Sequence, residues 1–159
     1  MCWAHVHSVA LEERPQTCTF ERLRKSILYL IMLLSKSLLD NLSVEAAHSD
    51  RLRKNICLHH SPEDPAQVMI NHFEPATQID IHRHFYTDET LVVLRGKLRI
   101  VYYNDKKDIT GSFILENNTE NFGINIPKGQ WHWLDITEPV TVIEVKDGPY
   151  RPLDKNEIL

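Results

Sequence analysis

The residues with the clearest chemical potential are His82, His84 and Glu89, followed at a distance by His132. Residues i and i+2 of a strand project from the same face, so His82 and His84 can reach one point together. Glu89 stands at the head of the run Thr90-Leu91-Val92-Val93-Leu94, whose β-branched and aliphatic character suits a buried strand. A strand returning past the histidine pair would carry the carboxylate back to it. Downstream, Pro127-Lys128-Gly129-Gln130-Trp131-His132 supplies a third imidazole behind a turn. Three neutral imidazoles and one carboxylate suit a single divalent transition metal, and Fe, Mn, Ni, Cu and Zn all accept that set.

The chain contains its own control. His5, His7 and Glu12 repeat the spacing of His82, His84 and Glu89. That early copy has no turn glycine after its glutamate, no alternating strand and no following hairpin. The spacing alone is therefore weak, and the weight rests on Gly96, the flanking strand patterns and the element around His132.

With those additions the pattern resembles the cupin superfamily. The first cupin motif, G-x5-HxH-x3,4-E-x6-G, is matched at His82, His84, Glu89 and Gly96, with Ala76 at the leading glycine position. The second, G-x5-PxG-x2-H-x3-N, is matched at Pro127, Gly129 and His132. Asn121 takes its leading glycine position (Gly123 is nearby) and Ile136 its closing asparagine. A narrower resemblance, over Leu33 to Pro152, is to the WbuC-type cupin-fold metalloproteins. It is carried by Arg51-Leu52-Arg53-Lys54-Asn55, Val93-Leu94-Arg95-Gly96 and Glu144-Val145-Lys146-Asp147-Gly148-Pro149-Tyr150. That family is bacterial and often encoded among surface-polysaccharide genes. The resemblance implies an all-β jelly-roll barrel (a double-stranded β-helix) with metal ligation at His82, His84, Glu89 and His132, and it names no substrate.

The elements that must position these groups read as follows. The spacing of Leu34, Leu38, Leu42 and Ala46 predicts a helix ending near Ser49, capped by Ser35 or Ser37, which serves as a lid or a dimer contact. Strands are predicted over 51–58, 68–73, 90–94, 98–103, 113–115, 122–126, 131–135 and 140–145. Many short strands with no interleaved helix mean a sandwich or a barrel. By strand parity, Asp80, Glu144 and Lys146 fall where they would orient ligands or face a substrate. Asn55 and His59 are expected toward the barrel mouth. Trp131 and Trp133 should face away from His132. His48, His60 and His72 have no motif support.

At 159 residues the chain is most simply one domain, able to bury about two-thirds of its unfolded surface. The expected division is an N-terminal extension over 1–32, disordered or loosely helical, and a cupin domain with its leading helix over 33–159. Arg22, Arg24 and Lys25 precede the apolar run from Ile27 to Leu34, which is far short of the roughly 20 residues needed to span a bilayer. No membrane association is therefore expected. The net charge of −4, without a basic patch, argues against nucleic acid. Cys2, Cys18 and Cys57 show no paired spacing, which argues against a disulfide framework and fits the reducing cytoplasm.

Three functions fit these residues. One is a metalloenzyme acting on a small polar or sugar-like molecule. The second is a metal-bearing module that binds such a molecule without turning it over. The third is a metal-independent sugar-nucleotide isomerase or epimerase using a histidine base and a tyrosine acid. The catalytic residues are not assigned, and a homodimer is expected from fold analogy.

Overall fold

The computed structural model describes residues 32–159. The expected extension over 1–32, apart from Met32, lies outside the described residues, as does the control triplet His5, His7 and Glu12. Helix α1 (Lys36–Ala47) begins at Ser35, whose hydroxyl accepts the Leu38 N–H at 3.2 Å. Its buried residues, Leu42 and Ala46, lie one turn apart, and the helix packs on β1 (Arg53–Cys57) and β2 (Ala66–Phe73). Leu34, expected at the head of the apolar stripe, precedes the helix and is exposed.

Six further strands follow: β3 (Glu89–Arg95), β4 (Lys97–Tyr103), β5 (Ile109–Glu116), β6 (Gly123–Ile126), β7 (Trp131–Asp135) and β8 (Val140–Asp147). They form two antiparallel sheets, ordered β1-β2-β8-β3-β6 and β5-β4-β7. This is the all-β cupin jelly roll with a leading helix that the sequence implies. Alternation assigns the faces. In β3, Glu89, Leu91 and Val93 are buried while Thr90 and Val92 are half-buried. The core joins Leu91 and Val93 to Leu98 and Ile100 of β4 and to Val140 and Val142 of β8. Burying each such side chain contributes about 1.5–3 kcal/mol.

One expectation is corrected here. The segment carrying His82 and His84 is extended but belongs to no named strand. It is held by single bridges, His82 to His132 on one side and His82 to Ile158 on the other. Its pairing partners come from residues 50 or more positions downstream, so no local pattern could define it.

The turn positions of the first motif behave unequally. Gly96, between β3 and β4, has φ +74°, and a Cβ there would collide with the Pro139 carbonyl oxygen. Ala76, which stands at the leading glycine position, also adopts the left-handed region, with φ +69°. That conformation costs an L-residue about 1–2 kcal/mol. A glycine would remove this cost while adding about 0.4–1 kcal/mol of unfolded-state entropy. Ala76→Gly is therefore expected to raise stability by about 0.5–1 kcal/mol, whereas Gly96→Ala should lower it by about 2 kcal/mol or more. Urea denaturation midpoints of the two variants check both signs.

Candidate metal centre

His82, His84, Glu89 and His132 converge. One ligand atom from each lies within 4.8 Å of all the others. Glu89 is the first residue of β3, and His132 is the second of β7, opposite Tyr102 of β4. The backbones of His82 and His132 exchange hydrogen bonds, His82 N–H to His132 O at 3.0 Å and His132 N–H to His82 O at 2.8 Å. Their rings consequently stand 4.3 Å apart, and the His84 ring is 5.2 Å from that of His82. Asp88 and Gly129 join the two motifs directly: Lys128 N–H donates to Asp88 Oδ1 (2.9 Å) and Gly129 N–H to His84 O (2.7 Å).

Hydrogen bonding fixes the tautomers of two of the histidines. His82 Nδ1–H donates to Asp80 O at 2.9 Å, and His132 Nδ1–H donates to Gln130 O at 3.0 Å. A carbonyl only accepts, so these nitrogens carry the protons and each Nε2 presents a lone pair. Loss of hydration pushes His82 down to about 4, helped by His132 and opposed by the Glu89 charge, so its ring is neutral at neutral pH.

Among the described residues, the buried atoms without a hydrogen-bond partner include His84 Nε2, His132 Nε2 and Glu89 Oε2. Glu89 Oε2 lies 3.0 Å from His132 Nε2 and 3.5 Å from His84 Nε2. At His132 such proximity is no hydrogen bond when both atoms present lone pairs, and a cation among them resolves the repulsion. The donor set fits a divalent transition metal.

Burial alone would raise the Glu89 carboxyl. The Lys146 charge leads the influences that outweigh it and hold the group well below the usual carboxylate range. Lys146 Nζ sits 3.9 Å from Glu89 Oε1 and also contacts Glu144 Oε1. One Glu89 oxygen thus faces the ammonium and the other faces the imidazoles. Asn71 Nδ2 donates at 2.5 Å to Glu144 Oε2. The inward face of β8 thereby turns from apolar, at Val140 and Val142, to charged, at Glu144 and Lys146.

The remaining expected residues divide. Glu144 and Lys146 do reach the cluster. Asp80 does not bring its side chain: it is exposed and takes part through its backbone carbonyl. Asn55 lies on edge strand β1, three strands from Glu89 in the sheet order, roughly 14 Å at normal strand spacing. His59 accepts the Val68 N–H at 3.1 Å and fastens the β1–β2 connection, so it too stands away from the cluster. His72 is a core histidine bonded to Thr141 Oγ1 and paired with Glu74. Trp131 is buried beneath the Arg83 guanidinium at 4.1 Å and donates its indole N–H to Asp105 Oδ1.

Sequence reasoning missed Asn71 and Tyr102. Burial and the nearby Glu89 charge both raise the Tyr102 hydroxyl. The parity of β4, in which Leu98 and Ile100 point inward, would have placed Tyr102 on the face of His132 had the β4–β7 register been known.

A family model described as Domain of unknown function (DUF6016) matches residues 34–115, from the approach to α1 through nearly all of β5. That span includes His82, His84 and Glu89 and stops before His132. No curated protein matches the chain. Among solved structures it is similar to the capsular polysaccharide assembling protein CapF from Staphylococcus aureus, at 20% identity and a TM-score of 0.53, covering 69% of this chain and 29% of that one. It is also similar to KdgF from Halomonas sp. (17% identity, TM-score 0.49, covering 62% and 82%). A third is a cupin-2 domain containing protein from Shewanella frigidimarina NCIMB 400 (20% identity, TM-score 0.45, covering 58% and 79%). At these identities the likeness concerns the fold, and the chain spans under a third of the CapF length. No helix among the described residues is long and apolar enough to cross a membrane.

Glu144 provides a test of these electrostatics. Burial raises its carboxyl, with Lys146 opposing and Glu89 adding. A raised native pKa means that folding takes up a proton. The resulting stability is complete below the ordinary carboxyl range, near ~4.3, and is lost as pH rises through the native value. Glu144→Gln removes that loss. Relative to the parent protein, the variant is expected to gain stability as pH rises from about 4 to about 8, measured by urea denaturation across that range.

Proposed function

The chain belongs to the DUF6016 family, a domain of unknown function, and from the site it carries we propose that it is a metalloprotein. It binds one divalent transition metal (Fe, Mn, Ni, Cu or Zn) through His82, His84, Glu89 and His132 and presents it to a small polar or sugar-like molecule. The observation that carries this reading is the set of buried, unpartnered donor atoms His84 Nε2, His132 Nε2 and Glu89 Oε2. Stranding three such atoms costs about 1–3 kcal/mol each, and a cation offsets that cost.

When bound, the ion supplies a Lewis acid or a redox centre beside the Tyr102 face of the barrel. The chain's own residues have distinct tasks. Asp80 O and Gln130 O hold the His82 and His132 rings with Nε2 inward. Lys146 engages Glu89 Oε1 and leaves Oε2 to ligate. Glu144 and Asn71 hold Lys146 in turn and line the wall that a polar ligand would meet.

We further read the chain as a WbuC-type cupin, on the segments around Arg51, Gly96 and Glu144, acting in surface-polysaccharide biosynthesis in a bacterial cytoplasm as a homodimer. The CapF likeness supports the polysaccharide link through shared fold alone. The net charge of −4 supports a small-molecule ligand over nucleic acid, and no membrane partner is proposed.

Elemental analysis of untagged protein purified without added metal tests the central reading. About one equivalent of metal per chain is expected, lost in His84→Ala and in His132→Ala, with both variants remaining folded by circular dichroism. Metal-free parent protein, or variants that keep their metal, would sink it.

A further inference from the structure

The arm bearing His82 and His84 owes its shape to a segment more than 70 residues away, and we propose that Glu157 is the positioning residue that sets the metal geometry. This rests on the metal reading above. The arm lies between β7 and the turn at Lys155–Glu157. On the turn side, Arg83 N–H donates to Glu157 O at 3.0 Å and Leu159 N–H donates to Ile81 O at 2.9 Å.

The Glu157 side chain adds two bonds. Its Oε1 accepts the Phe85 N–H at 2.8 Å, and its Oε2 accepts the Asp154 N–H at 2.9 Å. It is 5% exposed, and neither oxygen pairs with a lysine or arginine among the described residues.

Its bond falls on the amide directly after His84. That matters because His84 is the weakly anchored ligand. The rings of His82 and His132 are each tied to a backbone carbonyl, and His84 has no such tie among the described residues. The direction of its ring depends on the backbone at 84–85. Gly129 N–H fixes that backbone from one side, through His84 O, and Glu157 fixes it from the other, through Phe85 N–H. Residues holding ligands in this way typically change metal affinity by about 10- to 100-fold when removed.

Co(II) titration, followed by visible absorption, tests this on the full chain, its Glu157→Gln and Glu157→Ala variants, and Lys155→Ala as a control in the same turn. The expected result is a Co(II) Kd weakened about tenfold in Glu157→Gln and nearer a hundredfold in Glu157→Ala, with altered d–d bands. Lys155→Ala should match the parent. The Phe85 amide should also lose its protection from hydrogen exchange in both Glu157 variants. A plain structural cap would lower the unfolding midpoint with Kd and bands unchanged, which overturns this proposal and leaves the metal centre standing. If the parent protein takes up no Co(II), both readings fall. Should Glu157→Ala not fold, Glu157→Gln decides.

Discussion

Everything in this barrel accommodates one unfavourable fact: four electron-pair donors are held within 4.8 Å of one another and largely away from water. Without a cation, the nearest approach, Glu89 Oε2 to His132 Nε2, sets a carboxylate lone pair against an imidazole lone pair. Such a cluster does not assemble from its own attractions. Paired backbone bonds between His82 and His132 force the rings together, carbonyls at Asp80 and Gln130 aim them, and Lys146 offsets the carboxylate. Stability is spent on geometry here, which is common at functional sites.

The topology explains why the ligands come from three places in the chain. β8 lies between β2 and β3 in one sheet, while β7 borders β4 in the other. Glu89 and His132 therefore enter the interior from opposite walls. The His82–His84 arm prolongs the β7 edge and is covered by the turn at Lys155–Glu157, so an edge that would stay unpaired is occupied at the point where ligands are needed.

Much of this was legible beforehand, for physical reasons. Local alternation located β3, β4 and β8 to within a few residues, and β7 was read at Trp131–Asp135, as observed. The glycine after Arg95 marked its turn because only a left-handed residue without a Cβ fits against Pro139. Local pattern is blind, however, to partners remote in sequence. The arm reads as a strand by parity, yet its neighbours are His132 and Ile158. Asn55 has the correct parity but sits on the far edge strand, and His59 is absorbed by Val68. Parity reports which face a residue occupies; only register and sheet order report how far along that face the chemistry lies. Asn71 and Tyr102 were overlooked for the same reason.

The interior is also divided in a way that separates stability from chemistry. Along one face of β8, Val140 and Val142 belong to the apolar core, and Glu144 and Lys146 follow directly. In β3 the order is reversed along the chain: Glu89 comes first, then Leu91 and Val93. Because the two strands are antiparallel, with Glu89 opposite Lys146 and Val93 opposite Val142, both polar ends fall at one mouth of the barrel and both apolar ends at the other. The apolar half closes without the metal ligands. The polar half can then hold charges and unpartnered donors, since the hydrophobic contacts that keep the sheets together lie elsewhere. A loss of metal should on this account leave the two sheets joined and disturb chiefly the His82–His84 arm, which belongs to no named strand and is tied to β7 through His82 and His132 alone.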